Sequence, residues 1–296
     1  MNAGEIHVPV MLNEVIEYLN IKKDGIYIDC TFGNGGHSKS ILERLENGKL
    51  IAFEWDKNSV EFIKNNTFFS SPKFSLINDN FSNLTEHLKN LEIKEIEGFL
   101  FDLGLSSWQL GEENRGFSYR LNSPLDMRIN QENDLTAEFI LNNYSYEKLM
   151  DIFYYYGEER KSRIIARKIC YRREQQPITS TQQLVSIVAS CFPKKRNIHP
   201  ARKVFQAIRI FVNGELENLS KALESALKYL SPTGKIVVIS YHSLEDRIVK
   251  QTFKKYSSQE RFQIINKKPL IPSPEEIKKN NKARSAKMRV IKRVDI

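Results

Sequence analysis

The stretch DCTFGNGGHS, Asp29 to Ser38, constrains this chain more than any other. It follows an apolar run, GIYI, and precedes an amphipathic one, KSILERL. It therefore reads as a strand end, a tight turn through Gly33, Gly35 and Gly36, and a helix opening near Ser38. Ile41, Leu42 and Leu45 share one face of that helix, and Asn47-Gly48 ends it. Glycine is needed where a chain leaving a strand turns sharply with its backbone close to a ligand. An ordinary strand-to-helix turn would also account for Gly-x-Gly, but two carboxylates favour a nucleotide-like ligand. Asp29 lies four residues before Gly33, and Glu54 ends the next apolar run, LIAFE. A carboxylate closing a second strand can take both ribose hydroxyls of a bound adenosine.

Strand patterns recur along the first third of the chain as IYID, LIAFE, KFSLI and GFLFDLGL, with helical segments at 38–47, 57–66 and 82–91 between them. A short amphipathic helix through Val10, Leu12, Val15, Ile16 and Leu19 precedes the first strand. This alternation predicts an α/β fold with a parallel sheet covered on both faces, and the ligand crevice of such a sheet lies at the carboxyl ends of its strands. Asp29, Glu54, Asp79, Phe81 and Asp102 all fall at or just beyond such ends. After Gly111 the alternation stops, and residues 112–200 carry helical patterns rich in Arg, Lys and Tyr, which predicts an inserted helical subdomain. One long helix is expected from about Ala201 to Tyr229. KIVVISY then resumes the sheet, and RFQII and MRVIKRV bring the expected count to seven strands, the last two able to form an antiparallel hairpin. The expected organisation is a sheet domain in two parts, 1–110 and 201–296, around a helical subdomain at 111–200.

Charge becomes informative when it is split along the chain. Residues 247–296 carry a net +11 and residues 157–209 a net +10, although the whole chain is only +9. Solvated helix faces would explain ordinary charge runs, but two segments of this strength favour a polyanionic partner, nucleic acid. The three cysteines, Cys30, Cys170 and Cys191, are far apart and suggest reduced thiols, neither a disulfide framework nor a zinc site. The sequence has no apolar run of roughly 18 residues and no signal core, so a cytoplasmic protein without membrane contact is expected.

The glycine loop distinguishes two ligand types. Dinucleotide folds usually want a third glycine to seat a pyrophosphate, and Ser38 stands there instead. Asp-x-x-x-Gly-x-Gly, with its carboxylate ahead of the glycines, suits S-adenosylmethionine, which has no phosphate and carries an ammonium. Asp102 is expected to face the crevice. Gln109 is a candidate ligand contact, and His37 can touch the ligand or cap the helix. His242, in SYHSLEDR at another strand end, is a candidate substrate contact, while Asp246 and Arg247 can pair with each other. Ser106 and Ser107 lack a nearby histidine, and no group of His, Cys and carboxylates has metal-ligand spacing.

FGNGGHS, DLGLSSWQL, RGFS, PLDMR, YGEER, HPARKVFQAIRIFVNGEL and ISYHSLEDRIVK, in this order from about His7 to Arg289, closely resemble the RsmH, or MraW, family of bacterial ribosomal RNA methyltransferases. The resemblance implies a class I, Rossmann-like S-adenosylmethionine-dependent methyltransferase sheet interrupted by a helical substrate-recognition domain. It implies methyl transfer to the exocyclic N4 of a cytidine in the decoding region of small-subunit (16S) ribosomal RNA, as naked RNA or in the 30S particle. A homodimer is left open. Carried over by position, the family's cofactor contacts become Gly35, Gly36, His37, Glu54, Phe81, Asp102 and Gln109, with Asp102 and His242 the candidates for chemistry. The chain departs from the family at Glu54, commonly Asp, at Trp108, commonly Pro, and at NNKARS, commonly Asn-Pro-Arg-Ala-Arg-Ser. From other classes, the rivals are a non-catalytic ribosome-assembly factor that keeps a cofactor pocket and a methyltransferase acting on protein or a small molecule.

Overall fold

The computed structural model describes residues 9–64, 67–106, 109, 111–193 and 199–294. Ser107 and Trp108 lie outside them. By its internal contacts the chain forms two compact units, one of residues 1–104 with 216–296 and one of residues 105–215.

The first unit is built on a seven-stranded sheet in which Phe74–Ile77 (β3), Lys49–Phe53 (β2), Ile26–Asp29 (β1), Ile96–Asp102 (β4), Leu230–Ser240 (β5), Lys287–Arg293 (β7) and Phe262–Ile264 (β6) lie side by side in that order. Strands β1 to β5 run parallel. β7 is antiparallel to both β5 and β6, so the last two strands pair antiparallel, but across a connection that holds a helix and a 3₁₀ turn in place of a hairpin turn, and β7 inserts beside β5. The inner strands β1, β2, β4, β5 and β7 are largely buried on both faces, which is why they read as continuous apolar runs, whereas the edge strands β3 and β6 are only partly covered. Phe99, Phe101, Ile236 and Val238 point to one core with the helices α4 (Leu84–Asn90), α10 (Glu215–Tyr229) and α11 (Ser243–Ser257). Leu100, Val237 and Ile239 point to the other, with α1 (Leu12–Leu19) and α2 (Gly36–Leu42), while α3 (Lys57–Lys64) lies between β2 and β3 in the chain. Period-two alternation in β4 and β5 thus supplies both cores from the same strands.

The second unit is helical: α5 (Ala137–Asn143), α6 (Tyr146–Tyr155), α7 (Ser162–Gln175), α8 (Thr181–Ala189) and α9 (Arg202–Asn213) surround a core that includes Ile140, Leu149, Phe153, Ile165, Leu184, Val204 and Ile208. The single long helix expected over 201–229 is two helices. Gly214 caps α9 in the left-handed region at φ +57°, and α10 begins at the next residue. Glycine adopts that conformation without the Cβ penalty other residues meet, and the apolar stripe of α9 belongs to the helical core, so this unit extends past 200 to residue 215.

Several motifs of the helical unit prove to be scaffolding. Arg115, of RGFS, is buried and donates to the carbonyls of Arg128 and Ile129, each at 2.9 Å. Asn213 accepts from the Ile129 N–H at 2.7 Å and donates to Met127 O at 2.8 Å, so it pins the PLDMR turn in which Met127 is left-handed at φ +61°. The run Tyr154 to Tyr156 divides between core and surface. Tyr156 packs edge-on against Phe211, but Tyr154 and Tyr155 are 55% and 63% exposed at the end of α6.

Candidate active site at the carboxyl edge of the sheet

The loop after β1 is a folded object in its own right. Gly33 and Gly35 have positive φ, and α2 opens at Gly36, ahead of the expected Ser38. Asp29 is buried and spent locally: one oxygen accepts from the Thr31 N–H at 3.0 Å and the other from Ser38 Oγ at 2.7 Å. Burial, opposed by these bonds, raises its carboxyl above the ordinary range. A Cβ on Gly35 would come within 2.6 Å of both Phe32 and Phe69, and one on Gly36 within 2.3 Å of Pro9. Both glycines are therefore required by the protein's own packing.

Glu54, first residue after β2, uses its longer side chain to reach back to that loop. Oε2 accepts from the Gly33 N–H at 3.0 Å and Oε1 from the Asp56 N–H at 2.9 Å. Burial pushes its carboxyl up to about 7, against the pull of these two donors. Each oxygen keeps a lone pair for a further donor. Asp79, after β3, is occupied differently. Desolvation would raise it, but His87 at 2.7 Å, Asn83 and the Asn80 N–H hold it below the ordinary value. Phe81, half-buried, opens the following 3₁₀ turn and stands edge-on to Phe101 with ring centroids 5.9 Å apart.

Asp102 ends β4, and its side chain is 24% exposed. Its backbone N–H donates to Thr31 Oγ1 at 2.6 Å, tying β4 to the glycine loop. Oδ1 accepts from Tyr241 Oη at 2.6 Å. Oδ2 lies 3.6 Å from His37 Nδ1, beyond hydrogen-bond range. The other nitrogen, His37 Nε2, meets Val10 O at 3.0 Å and must donate to it. Burial pushes the His37 imidazole below its ordinary range, so Nδ1 carries a lone pair. Burial likewise raises Asp102 to about 7, with Tyr241 and Lys282 opposing. Lys282, in NNKARS, is thus within electrostatic reach of the site.

His242 is the N-cap of α11: its Nδ1 accepts from the Glu245 N–H at 3.4 Å. Glu245 Oε2 in turn accepts from the N–H groups of Tyr241 at 2.7 Å and His242 at 3.2 Å. YHSLE is thus a capping box that fixes the residues just beyond β5. Asp246 pairs with Arg289 of β7, Oδ1 to Nε at 2.6 Å, where its neighbour Arg247 was the expected partner. On a helix adjacent side chains diverge, whereas β7 runs alongside β5. Gln109 belongs to the helical unit, where it is buried and its Oε1 accepts from the Ser106 N–H at 3.0 Å.

The sheet's carboxyl edge therefore gathers Gly35, Gly36, His37, Glu54, Phe81 and Asp102, together with Tyr241, Thr31 and Lys282, which the sequence did not single out. Tyr241 was open to discovery because it occupies the strand-end position of KIVVISY, one residue before His242. Three carboxyls around a glycine loop fit a cationic ligand with ribose hydroxyls and oppose a pyrophosphate. That donor set suits S-adenosylmethionine, which supplies an electrophilic methyl group when bound.

Comparison with solved structures returns low-identity similarities over nearly the whole chain. A Clostridium thermocellum protein matches at 13% identity and TM-score 0.47, covering 98% of this chain and 100% of that one. An rRNA methylase of Streptococcus thermophilus matches at 12% and 0.45, covering 99% and 100%. SMU.1697c of Streptococcus mutans, solved in complex with SAH, matches at 13% and 0.40, covering 97% and 100%. The sequence model of the MraW methylase family matches residues 4–294, nearly the whole chain. On that match, the chain belongs to the MraW methylase family, and its cofactor is S-adenosylmethionine.

Proposed function

We propose that the chain methylates the exocyclic N4 of a cytidine in the decoding region of 16S ribosomal RNA, acting on the RNA or on the 30S particle. The amine of cytosine is a poor nucleophile because its lone pair is drawn into the ring. An enzyme for this reaction must align the amine with the sulfonium methyl and accept a proton as nitrogen becomes pyramidal. The observation that carries the proposal is Asp102, a part-exposed carboxyl at the β4 end whose pKa is pushed up to about 7, where a general base works best. Glu54 would take the ribose hydroxyls and Phe81 would lie against the adenine. Gly35, Gly36 and His37 would shape the loop around the donor, and His242 would orient the base.

The helical unit is proposed to hold RNA. On α7 the outward face carries Ile164, Arg167 and Tyr171, with Ile164 49% and Tyr171 64% exposed, and α6 adds Tyr154 and Tyr155. Alternating cations and exposed rings suit a single strand, with phosphates on the cations and bases on the rings.

Mass mapping of small-subunit RNA from cells with and without the protein tests the activity. Loss of one N4-methylcytidine is expected, and an unchanged modification map would exclude this site. Asp102→Ala should lower the methyl-transfer rate by roughly 10²–10⁴-fold with the fold intact, and near-normal turnover would remove Asp102 from the chemistry.

A further inference from the structure

We propose that Tyr241 is a positioning residue for Asp102, holding its carboxylate in the orientation and ionised state in which it works. The proposal rests on the placement of Asp102 at the cofactor and acceptor amine. Tyr241 Oη donates to Asp102 Oδ1 at 2.6 Å, and among the described residues this is the one hydrogen bond given to the Asp102 side chain. The phenol is itself well anchored. Its backbone N–H is fixed by buried Glu245, and its ring lies over Gly104, where a Cβ would come within 3.3 Å of Cδ2. Gly104 is held at φ +109°, a conformation that favours glycine, so the chain leaves β4 without crowding the ring.

The charged and titratable groups around Asp102 show why that one donor matters. From α2 faces neutral His37, whose Nδ1 has no proton to offer. Asp29 faces it from β1 and Glu245 from α11, both disfavouring the carboxylate, and Lys282 faces it from the 3₁₀ turn at Asn281–Ser285. Glu276, from α12 (Pro274–Lys279), acts on Tyr241 and His37. Burial, with Asp102 next, pushes the phenol well above its ordinary value, so Tyr241 remains a donor throughout the working range. A hydrogen bond to a charged group has a free-energy worth comparable to a tenfold or larger change in equilibrium. Deleting the hydroxyl should therefore shift Asp102 upward by about one pH unit or more.

The test is a double-mutant cycle. S-adenosylhomocysteine affinity is measured by calorimetry from pH 5 to pH 9 for the full chain and for Tyr241→Phe, Asp102→Asn and the double variant, with thermal midpoints alongside and methyl-transfer rates on small ribosomal subunits lacking the mark. In Y241F the acid limb of binding, and of turnover, is expected to move to higher pH by about one unit and to recover in alkali. Adding Y241F to D102N should change neither curve, and the pH dependence that remains there belongs to Glu54. An equal loss at every pH in Y241F, or a further loss in the D102N background, would overturn the proposal in favour of a structural ring. If D102N binds and turns over like the parent chain, the placement of Asp102 fails and the proposal fails with it. If D102N is impaired while Y241F matches the parent, only the role of Tyr241 is lost.

Discussion

Glu54, buried, and Asp102, partly buried, share one physical problem, since the charged form of each loses water. Burial raises each folded-state carboxyl to about 7, well above the unfolded value. The neutral acid is thus favoured in the folded state, and the stability it contributes is full below the unfolded pKa and lost as pH rises through about 7. Asp79 and Asp246 act oppositely, since their folded values are depressed and their contribution is lost as pH falls through those values. Replacing Asp102 by Asn removes the first liability, and the new amide nitrogen can face the Nδ1 lone pair of His37. D102N is expected to raise the thermal midpoint at pH 8 by about 2–4 °C while activity falls, as happens when a site is strained for function; calorimetry at pH 5 and pH 8 checks this, the gain vanishing at the lower pH. At this scale the sequence was legible for type and position but not for partners. Asp102 at a strand end could be read from periodicity. Its bond to Tyr241, 139 residues away in sequence, could not.

At the scale of elements, the glycine loop and the start of α11 carry the sharpest consequences. Gly35 combines φ +74° with two phenylalanine rings where a side chain would go. Gly35→Ala must therefore bear left-handed strain of about 1–2 kcal/mol and displace Phe32 and Phe69 as well. A fall in denaturant midpoint with an unchanged slope, together with abolished S-adenosylhomocysteine binding, is expected. At α11, His242 has a visible structural duty as a cap and a proposed one toward the base, and Asn separates them because it caps well. His242→Asn should keep the thermal midpoint, whereas His242→Ala should cost about 1 kcal/mol. Turnover of H242N is expected to drop roughly tenfold, the worth of one hydrogen bond, and parental turnover would confine His242 to the cap. The split between α9 and α10 has a similar lesson. Both helices have apolar stripes at helical spacing, so they read as one, and only the positive φ of Gly214 divides them.

For the whole molecule, charge and connectivity matter more than any one pair of residues. Part of the basic excess is consumed internally: Lys161, Lys168, Arg173 and Lys203 donate to carbonyl oxygens, and Arg289 pairs with Asp246. The RNA footprint should therefore be smaller than the net +10 and +11 of the two segments imply. RNA affinity is expected to fall linearly with salt on logarithmic axes, and replacing exposed Arg163 and Arg167 by Gln should flatten the slope by about 0.7 for each phosphate no longer neutralised. Tyr171→Ala should weaken binding without altering that slope, because stacking releases no counterions; filter binding across a salt series measures both. Among the described residues no helix is long and apolar enough to cross a membrane. From the sequence alone came the alternating strands and helices, the seven-strand count, the glycine loop and the acids at strand ends, because these follow from periodicity and local backbone demands. Tertiary structure decided that Tyr241 serves Asp102, that Lys282 is within electrostatic reach of it, that Asp246 serves β7, and that a helix which reads as continuous belongs to two units. Those outcomes depend on which distant segments the sheet order and the cores bring together, and no local pattern encodes that.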